Sequence, residues 1–383
     1  MSNAPRWRRE PYRVFFPLGL VLVWAGVSHW LLHGTGLLPE YRPVFHAIVQ
    51  VQGFLLCFAL GFLFTALPRF TGTAAPSPVE MSIGIGVPLG ITLAAWFERF
   101  AESQWLWLLL VATVLRFAWR RRARVLLQSG APTGFVWVPL AFVCGAFGSL
   151  LIGAYGLLGD AWYGLHELGR LLLLQGMFVG LVVGLGSTVL PLFTRGEQRA
   201  DRLPRSVHLG VWIVLLGCLW IEHALSLRAG LLLRAALVCG MWIVGGLAHK
   251  PTLPGWHRRF AWIAAWMLPL GFALAASFPE QKKAGLHVAF IGGFALLALS
   301  VSLHVTLAHS GDEEHVRRNP WPVPVFGALL LASTGLRALV DFDPARFFVW
   351  IAVSAAVFLA GTATWATLVL PRLWRAGAGG ADR

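Results

Sequence analysis

The sequence predicts an all-α fold, a polytopic transmembrane bundle of 12 helices. Composition is the first reason: 57% of the 383 residues are hydrophobic, only 13% are charged, and the mean hydropathy is +0.69. A soluble chain of this length could not bury so much apolar surface. The second reason is that the apolar residues occur in long runs separated by short polar segments, as in proteins that cross a lipid bilayer repeatedly.

Twelve apolar runs reach or nearly reach the length that a helix needs to cross the hydrocarbon core. The third and fourth runs are the shortest. No connecting segment is long enough for a soluble domain, so residues 1–383 are expected to form a single membrane domain. In chain order the predicted spans are Phe15–Leu32, Val44–Leu67, Ile83–Phe97, Trp105–Trp119, Phe135–Leu158, Leu168–Leu190, His208–Leu225, Leu231–Ala248, Phe260–Phe278, Leu286–Leu307, Val323–Leu339 and Phe347–Leu370.

The basic residues predict the orientation of this bundle. Twelve spans place both termini on one side of the membrane, and 22 of the 31 Lys and Arg residues fall on that side. Because Lys and Arg are enriched in cytoplasmic loops, both termini are predicted to be cytoplasmic. Short basic loops that face anionic lipid also explain the net charge of +14, so no nucleic-acid partner is expected.

Three of the predicted spans share a pattern and lie four spans apart. The second starts near His46 and ends in L-P-R-F-T-G, and the sixth starts just after His166 and ends in L-P-L-F-T-R-G. The tenth starts near His287 and ends in L-A-H-S-G. This spacing predicts three pseudo-repeats of four helices, roughly residues 1–125, 126–250 and 251–383. Pro68 and Pro191 are predicted to stop their helices.

Histidines are the side chains best suited to carry chemistry in this chain. His46, His166 and His287 are predicted near the extracytoplasmic ends of equivalent helices, and His223 ends the seventh span on the same side. Neutral imidazole binds haem iron and copper, so several imidazoles at one depth predict a metal centre. Glu167 follows His166 directly and could orient its ring. The alternative is that these histidines are interfacial residues that contact water and lipid headgroups.

A second group of histidines lies toward the predicted cytoplasmic side. His304 falls inside the tenth span, and His309 lies at the end of that span. A histidine inside a span is a functional candidate, although nearby Ser and Thr side chains could equally satisfy His304 as an ordinary packed residue. His208, His257 and His315 stand among charged residues and are predicted to be solvated.

Motifs of soluble enzymes are absent from the sequence. It contains no dinucleotide-binding glycine pattern after a strand, no phosphate-binding loop, no G-x-S-x-G and no C-x-x-C-H haem attachment site. Any haem would therefore be held by histidine coordination alone. The four cysteines all lie in apolar runs and are predicted to be small packed side chains.

At these residues the chain resembles the NnrS family of polytopic membrane proteins, which contain haem and copper and are linked to nitric oxide and nitrosative stress. The family's second helix resembles W-H-A-H-E-M-L-F-G-F and A-G-F-L-L-T-A-V-P-N-W-T-G, where this chain has F-H-A-I-V-Q-V-Q-G-F and L-G-F-L-F-T-A-L-P-R-F-T-G. The family's second histidine and its glutamate are Ile48 and Val49 here. The sixth helix resembles the family in S-T-V-L-P-L-F-T-R. The tenth matches at His287 and His309, and has His304 at the family's arginine.

The predicted layout also resembles the catalytic subunit of haem–copper oxidases. That subunit has 12 helices in three groups of four, with haem histidines on helices two and ten and metal histidines on helices six and seven. His46, His287, His166 and His223 fall on the corresponding spans. The seventh span has no His-His pair and the tenth has no H-x-H, so oxygen reduction is not expected.

The NnrS resemblance implies a protein of the bacterial inner (cytoplasmic) membrane with a non-covalent b-type haem between His46 and His287. It implies a small gas ligand such as nitric oxide. One activity consistent with the resemblance is that of an oxidoreductase acting on nitric oxide, with an electron donor or another membrane subunit as a partner. The alternative left open by the residues is a metal-free permease or structural subunit with interfacial histidines. A second metal, copper in this family, is expected among four further histidines: His166, His223, His309 and His304.

Overall fold

A computed structural model describes residues 4–121, 133–196, 203–312, 314 and 318–374. These residues contain helices and no strand. Twelve of the helices are long and apolar enough to cross a membrane, and each overlaps one predicted span, so the all-α membrane fold is confirmed. They are α1 (Tyr12–Gly34), α2 (Pro43–Thr71), α3 (Pro78–Trp96), α4 (Phe100–Trp119), α5 (Thr133–Leu158), α6 (Asp160–Arg195), α7 (Arg205–Ala224), α8 (Leu227–Val244), α9 (Trp256–Ser277), α10 (Lys282–Ser310), α11 (Pro322–Leu339) and α12 (Pro344–Trp374).

Helices α2, α6 and α10 form the interior of the bundle. The protein buries 78% of the most apolar stretch of α2 and 67% of that of α6 and α10, against 28–56% for the other nine helices described. Those nine pack in a closed circuit, in the order α1, α3, α4, α5, α7, α8, α9, α11, α12 and back to α1. The helices that share a sequence pattern are therefore the ones shielded from lipid, while the outer helices face it.

Each of the three interior helices contains a π-helical segment. The segments are Val49–Leu55 in α2, Leu172–Gly176 in α6 and Val288–Ala295 in α10, and the rest of the described chain has none. A π-helix widens the helical turn and is frequent at functional sites. His46 lies three residues before the first segment and His287 directly before the third. His166 lies six residues before the second, so it occupies a different place along its helix.

The three interior helices end at glycines rather than at prolines. Pro68 and Pro191 lie inside α2 and α6, and the prediction that they stop these helices was wrong. A proline removes one backbone donor, a loss that a packed membrane helix can absorb. The chain leaves the helix at Gly72, Gly196 and Gly311, whose φ angles of +58°, +70° and +75° favour glycine. The three helices thus end in the same way, as helices of repeated units would. The pseudo-repeats themselves stay a prediction.

A cluster of arginines around Glu10 ties together the ends of α1, α2 and α12. Arg6 donates a hydrogen bond to the Glu10 carboxylate at 3.1 Å, Arg13 also bonds to it, and Arg69 of α2 lies 3.8 Å away. Arg13 also donates to the carbonyl of Arg372 at the end of α12, at 3.3 Å. Burial raises the pKa of Glu10, but the bonds from Arg13 and Arg6 outweigh it and hold that pKa below its usual value.

Helix α10 is positioned by direct backbone contact with α9. A Cβ atom added at Gly271 of α9 would lie 2.7 Å from the carbonyl oxygen of Gly285 and 2.9 Å from the Cβ of Ala289. Small residues at such a crossing let two membrane helices approach closely. Because Gly285 is two residues from His287, this crossing fixes where the predicted ligand lies.

The substitution Gly271→Ala should therefore separate α9 from α10 and destabilise the protein by about 1–3 kcal/mol, the usual cost of overpacking. Thermal unfolding of the purified protein in detergent measures the effect. Gly217→Ala on α7 is the matched control, because no atom lies within 4 Å of an added Cβ there. Equal melting temperatures for the two variants would contradict the close crossing.

Candidate functional site

The fold brings His46 and His287 together with an arginine that the sequence analysis did not single out. His46 on α2, His287 on α10 and Arg337 on α11 lie within electrostatic range of one another. By accessible area both imidazoles are half-buried. The site lies at the end of the bundle where α2 and α10 begin.

The two imidazoles are oriented in the same way by backbone carbonyl groups. The Nδ1 atom of His46 lies 2.9 Å from the carbonyl oxygen of Gly26 on α1, and Nδ1 of His287 lies 2.7 Å from that of Lys283. A carbonyl oxygen only accepts, so each Nδ1 carries the proton and donates it. The lone pair is then on Nε2 of each ring. This is the usual arrangement of a metal-binding histidine, in which the second nitrogen is held by a hydrogen bond.

Arg337 is one of the nine basic residues that fall on the predicted extracytoplasmic side, and the structure buries most of its side chain at the end of α11. Its side chain is 14% exposed, and its nearest acidic partner, Asp341, is 3.5 Å away. Burial raises the pKa of Tyr41, in the loop before α2, with Arg337 acting against this shift and Asp341 adding to it. The burial of Arg337 had a signal in the sequence, because a charged residue inside an apolar run usually faces the interior of the bundle.

His166 and His223 are not joined to each other or to Glu167 by a hydrogen bond in the structure. Glu167 accepts a hydrogen bond from Arg170 at 2.9 Å, and the buried Nδ1 of His166 has no partner. The ring of His166 packs against Tyr155, with 4.6 Å between ring centres. The bond predicted from Glu167 to His166 is therefore not formed. Among the residues that the structure describes, no three His, Cys, Asp or Glu side chains gather to hold a metal ion.

The histidines predicted near the cytoplasm lie at the opposite end of α10. His309 donates from Nδ1 to the carbonyl of Val305 at 2.6 Å and packs against Tyr12, with ring centres 5.2 Å apart. His304 packs against Phe193 of α6, with 4.7 Å between ring centres. These two residues therefore belong to a second region, separate from His46 and His287.

Two histidines predicted to be solvated are buried, and that prediction was wrong. His208 is 2% exposed and accepts a hydrogen bond from the indole of Trp137 at 3.0 Å, and His257 is 3% exposed. Both lie in the first turn of a spanning helix, where the helix face rather than the neighbouring charges decides exposure. His315 lies outside the described residues.

The most deeply buried charge in the described chain is Arg234, another of the nine basic residues on the predicted extracytoplasmic side. Its side chain is 0% exposed, and its Nη2 lies 2.8 Å from Oε2 of Glu222 on the adjacent helix α7, though poorly aligned for a hydrogen bond. The guanidinium also lies 4.2 Å from the ring centre of Phe272. The short turn between α7 and α8 makes these two helices antiparallel neighbours. This short connection was the sequence signal that Glu222 and Arg234 could form an ion pair.

Fold and site together define a class: a polytopic membrane protein whose three interior helices each carry a histidine near the end where they begin. The model of the family described as NnrS protein matches residues 6–376, nearly the whole chain. The protein therefore belongs to the NnrS family, as the motifs on the second, sixth and tenth helices indicated. Among curated proteins, none matches this chain.

Removing Glu222 should destabilise the protein strongly, because the Arg234 cation would remain buried without its counter-charge. We expect Glu222→Ala to lower the free energy of unfolding by about 3–5 kcal/mol. Glu167→Ala is the control: it breaks a pair with side chains 36% and 49% exposed and should cost less than about 1 kcal/mol. Unfolding by denaturant in mixed micelles measures both, and a Glu222→Ala variant as stable as the control would refute the assignment.

Proposed function

We propose that this protein binds a b-type haem between His46 and His287 and, through it, a small gas such as nitric oxide. The observation that carries this proposal is the matched pair of imidazoles on α2 and α10. Each Nδ1 is bonded to a carbonyl oxygen, so each Nε2 is available as a ligand. Membership of the NnrS family supports the proposal, because the motif that contains His46 is part of the family resemblance.

The residues around the two imidazoles suit the group that they would hold. Haem iron, when bound, supplies coordination chemistry for a small diatomic gas. His46 and His287 would hold the iron, and a gas would have to take the place of one of them. The carbonyl groups of Gly26 and Lys283 would keep the rings in position. Arg337 supplies the positive charge that the two carboxylates of a haem need when they leave bulk water. The buried apolar stretches of α2 and α10 would exclude water from the macrocycle and admit an uncharged gas.

Helix α2 does not offer a second metal site next to His46. Ile48 and Val49, which replace the family's second histidine and glutamate, are 7% and 0% exposed and belong to the packed core. Neither side chain has a ligand atom. If copper is present, it has to be held elsewhere in the bundle.

Substitution of the two histidines tests the haem proposal. Purified protein should show the absorption spectrum of a b-type haem and a stoichiometry of one haem per chain by the pyridine haemochrome assay. His46→Ala and His287→Ala should each lose most of the haem or change its spin state, because each removes an iron ligand. His33→Ala is the control, since this nearby imidazole bonds through Nδ1 to the carbonyl of Leu38 at 3.0 Å and is not assigned to the iron.

Nitric oxide added to the reduced protein should shift the Soret band, and the shift should disappear in the histidine variants. Well-folded protein without haem would refute the proposal and favour the alternative of a metal-free permease or structural subunit. Haem retained with an unchanged spectrum in the double variant His46→Ala/His287→Ala would refute the ligand assignment alone.

We also propose that the protein resides in the bacterial inner membrane with both termini in the cytoplasm. The support is the surplus of Lys and Arg on that side, 22 of 31, together with the even number of spanning helices. His46 and His287 would then lie near the outer face, where an electron donor or another membrane subunit could approach.

Reporter fusions in a bacterial host test this orientation. A cytoplasm-active fluorescent protein fused after residue 383 should fluoresce, whereas a periplasm-active phosphatase at the same position should be inactive. A phosphatase inserted in the loop between α1 and α2 serves as the positive control and should be active. The opposite pattern would overturn the orientation and place His46 and His287 on the cytoplasmic side.

A further inference from the structure

At the end of the bundle where α2, α6 and α10 finish, two imidazoles lie close together and have no part in the haem proposal. His257 lies in the first turn of α9 and His304 in the second half of α10. Their ring centres are 5.7 Å apart, and both rings pack against Phe193 of α6, at 5.6 and 4.7 Å. His304 is 17 residues after His287, about 25 Å along a helix, so the pair is remote from the proposed haem.

His257 has two polar atoms without a partner in the described chain. The residue is 3% exposed, and neither Nδ1 nor Nε2 makes a hydrogen bond. A polar group buried in this way normally finds a partner. One nitrogen of a neutral imidazole always carries a proton, so this ring has a donor for a ligand that the chain itself does not supply.

The ring of His257 is folded back over the start of α9. A Cβ atom added at Gly255, the residue before the helix, would lie 2.6 Å from Cε1 and 2.8 Å from Nδ1 of His257. Gly255 has no side chain that could accept from the first turn, and the first turn contains no acidic residue. Asn319 accepts from the N–H of Trp256 at 3.0 Å. Because the start of a 22-residue helix carries about half a positive charge, the unpaired ring lies where negative charge is favoured.

The charges around the two imidazoles are positive. Arg258 lies within electrostatic range of both rings, and His309 within range of His304. The guanidinium of Arg258 is 5.9 Å from the centre of the Phe193 ring, against which both imidazoles pack. Among the described residues, no carboxylate contributes to the field at either imidazole. Such a field disfavours a metal cation at this place and favours an anion.

We propose that His257, His304 and the first turn of α9 bind one small, singly charged inorganic anion, such as chloride or nitrate. Two donors that share one acceptor atom at about 3 Å can lie up to roughly 6 Å apart, and the two ring centres are 5.7 Å apart. Arg258 and the helix start together supply about one and a half positive charges, which suits one negative charge better than two. The proposal goes beyond the haem proposal and does not depend on it.

Chloride is the probe for this site. Purified full-length protein in a nonionic detergent is titrated with sodium chloride, with gluconate keeping the ionic strength constant, and chloride NMR line broadening measures binding. We expect one saturable site per chain, from which nitrate displaces chloride. His257→Ala or His304→Ala should weaken binding roughly 10-fold or more, because each removes a hydrogen bond to a charged group. His249→Ala is the control, since His249 is exposed in the loop before α9.

Variants of Arg258 separate the effect of charge from an effect on folding. Arg258→Gln should weaken chloride binding, whereas Arg258→Lys keeps the positive charge and should restore most of it. His257→Gln keeps a side-chain donor and should bind better than His257→Ala. The double variant His46→Ala/His287→Ala should bind chloride like the wild type, so failure of the haem proposal and failure of this one give different results.

Bromide, which scatters anomalously, locates the ion in crystals of the wild-type protein. A bromide peak should lie about 3.5 Å from a ring nitrogen of His257. A crystal soaked in bromide without such a peak would overturn the proposal. Chloride broadening that is the same for the wild type, His257→Ala and Arg258→Gln would overturn it as well.

Discussion

Every polar group inside a bilayer must find its partner within the protein, and this constraint decides both the fold and the position of its sites. Backbone groups satisfy it by forming helices, which is why the described chain consists of spanning helices joined by short connections. Side-chain charges satisfy it by pairing, as Arg234 does with Glu222. The nitrogens of His257 are buried without such a partner in the chain.

The interior helices depart from regular α-helix where they approach the outer site. Each has a π-helical segment, and in α2 and α10 that segment begins within three residues of the histidine. A π-helical segment widens the helical turn close to His46 and His287. In α6 the histidine lies further from its segment, and His166 is not part of the same cluster.

Hydropathy predicted the spans and their number because each span must be apolar over a length that crosses the hydrocarbon core. That requirement is a local property of the sequence. It could not predict the π-helical segments, since their apolar residues look like those of any buried helix. Nor did it distinguish Arg234 and Arg337 from loop arginines. The burial of Arg234 depends on Glu222 in another helix, which hydropathy does not report. The same limit applied to His257, whose charged neighbours suggested solvent while its helix face points into the bundle. The three helices that share a motif are the interior ones, a position that the sequence analysis did not predict.

Helix α10 connects the two candidate sites, since it carries His287 near one end and His304 near the other. It also contacts both remaining interior helices, α2 through side-by-side packing and α6 through Phe294 against Phe178, with ring centres 6.0 Å apart. A shift of α10 along its axis would therefore move both imidazoles together. Its glycine contact with α9 restricts such a shift, because backbone atoms at that crossing have no room to yield. Packing of α10 against α9 is thus what holds the geometry of both sites at once.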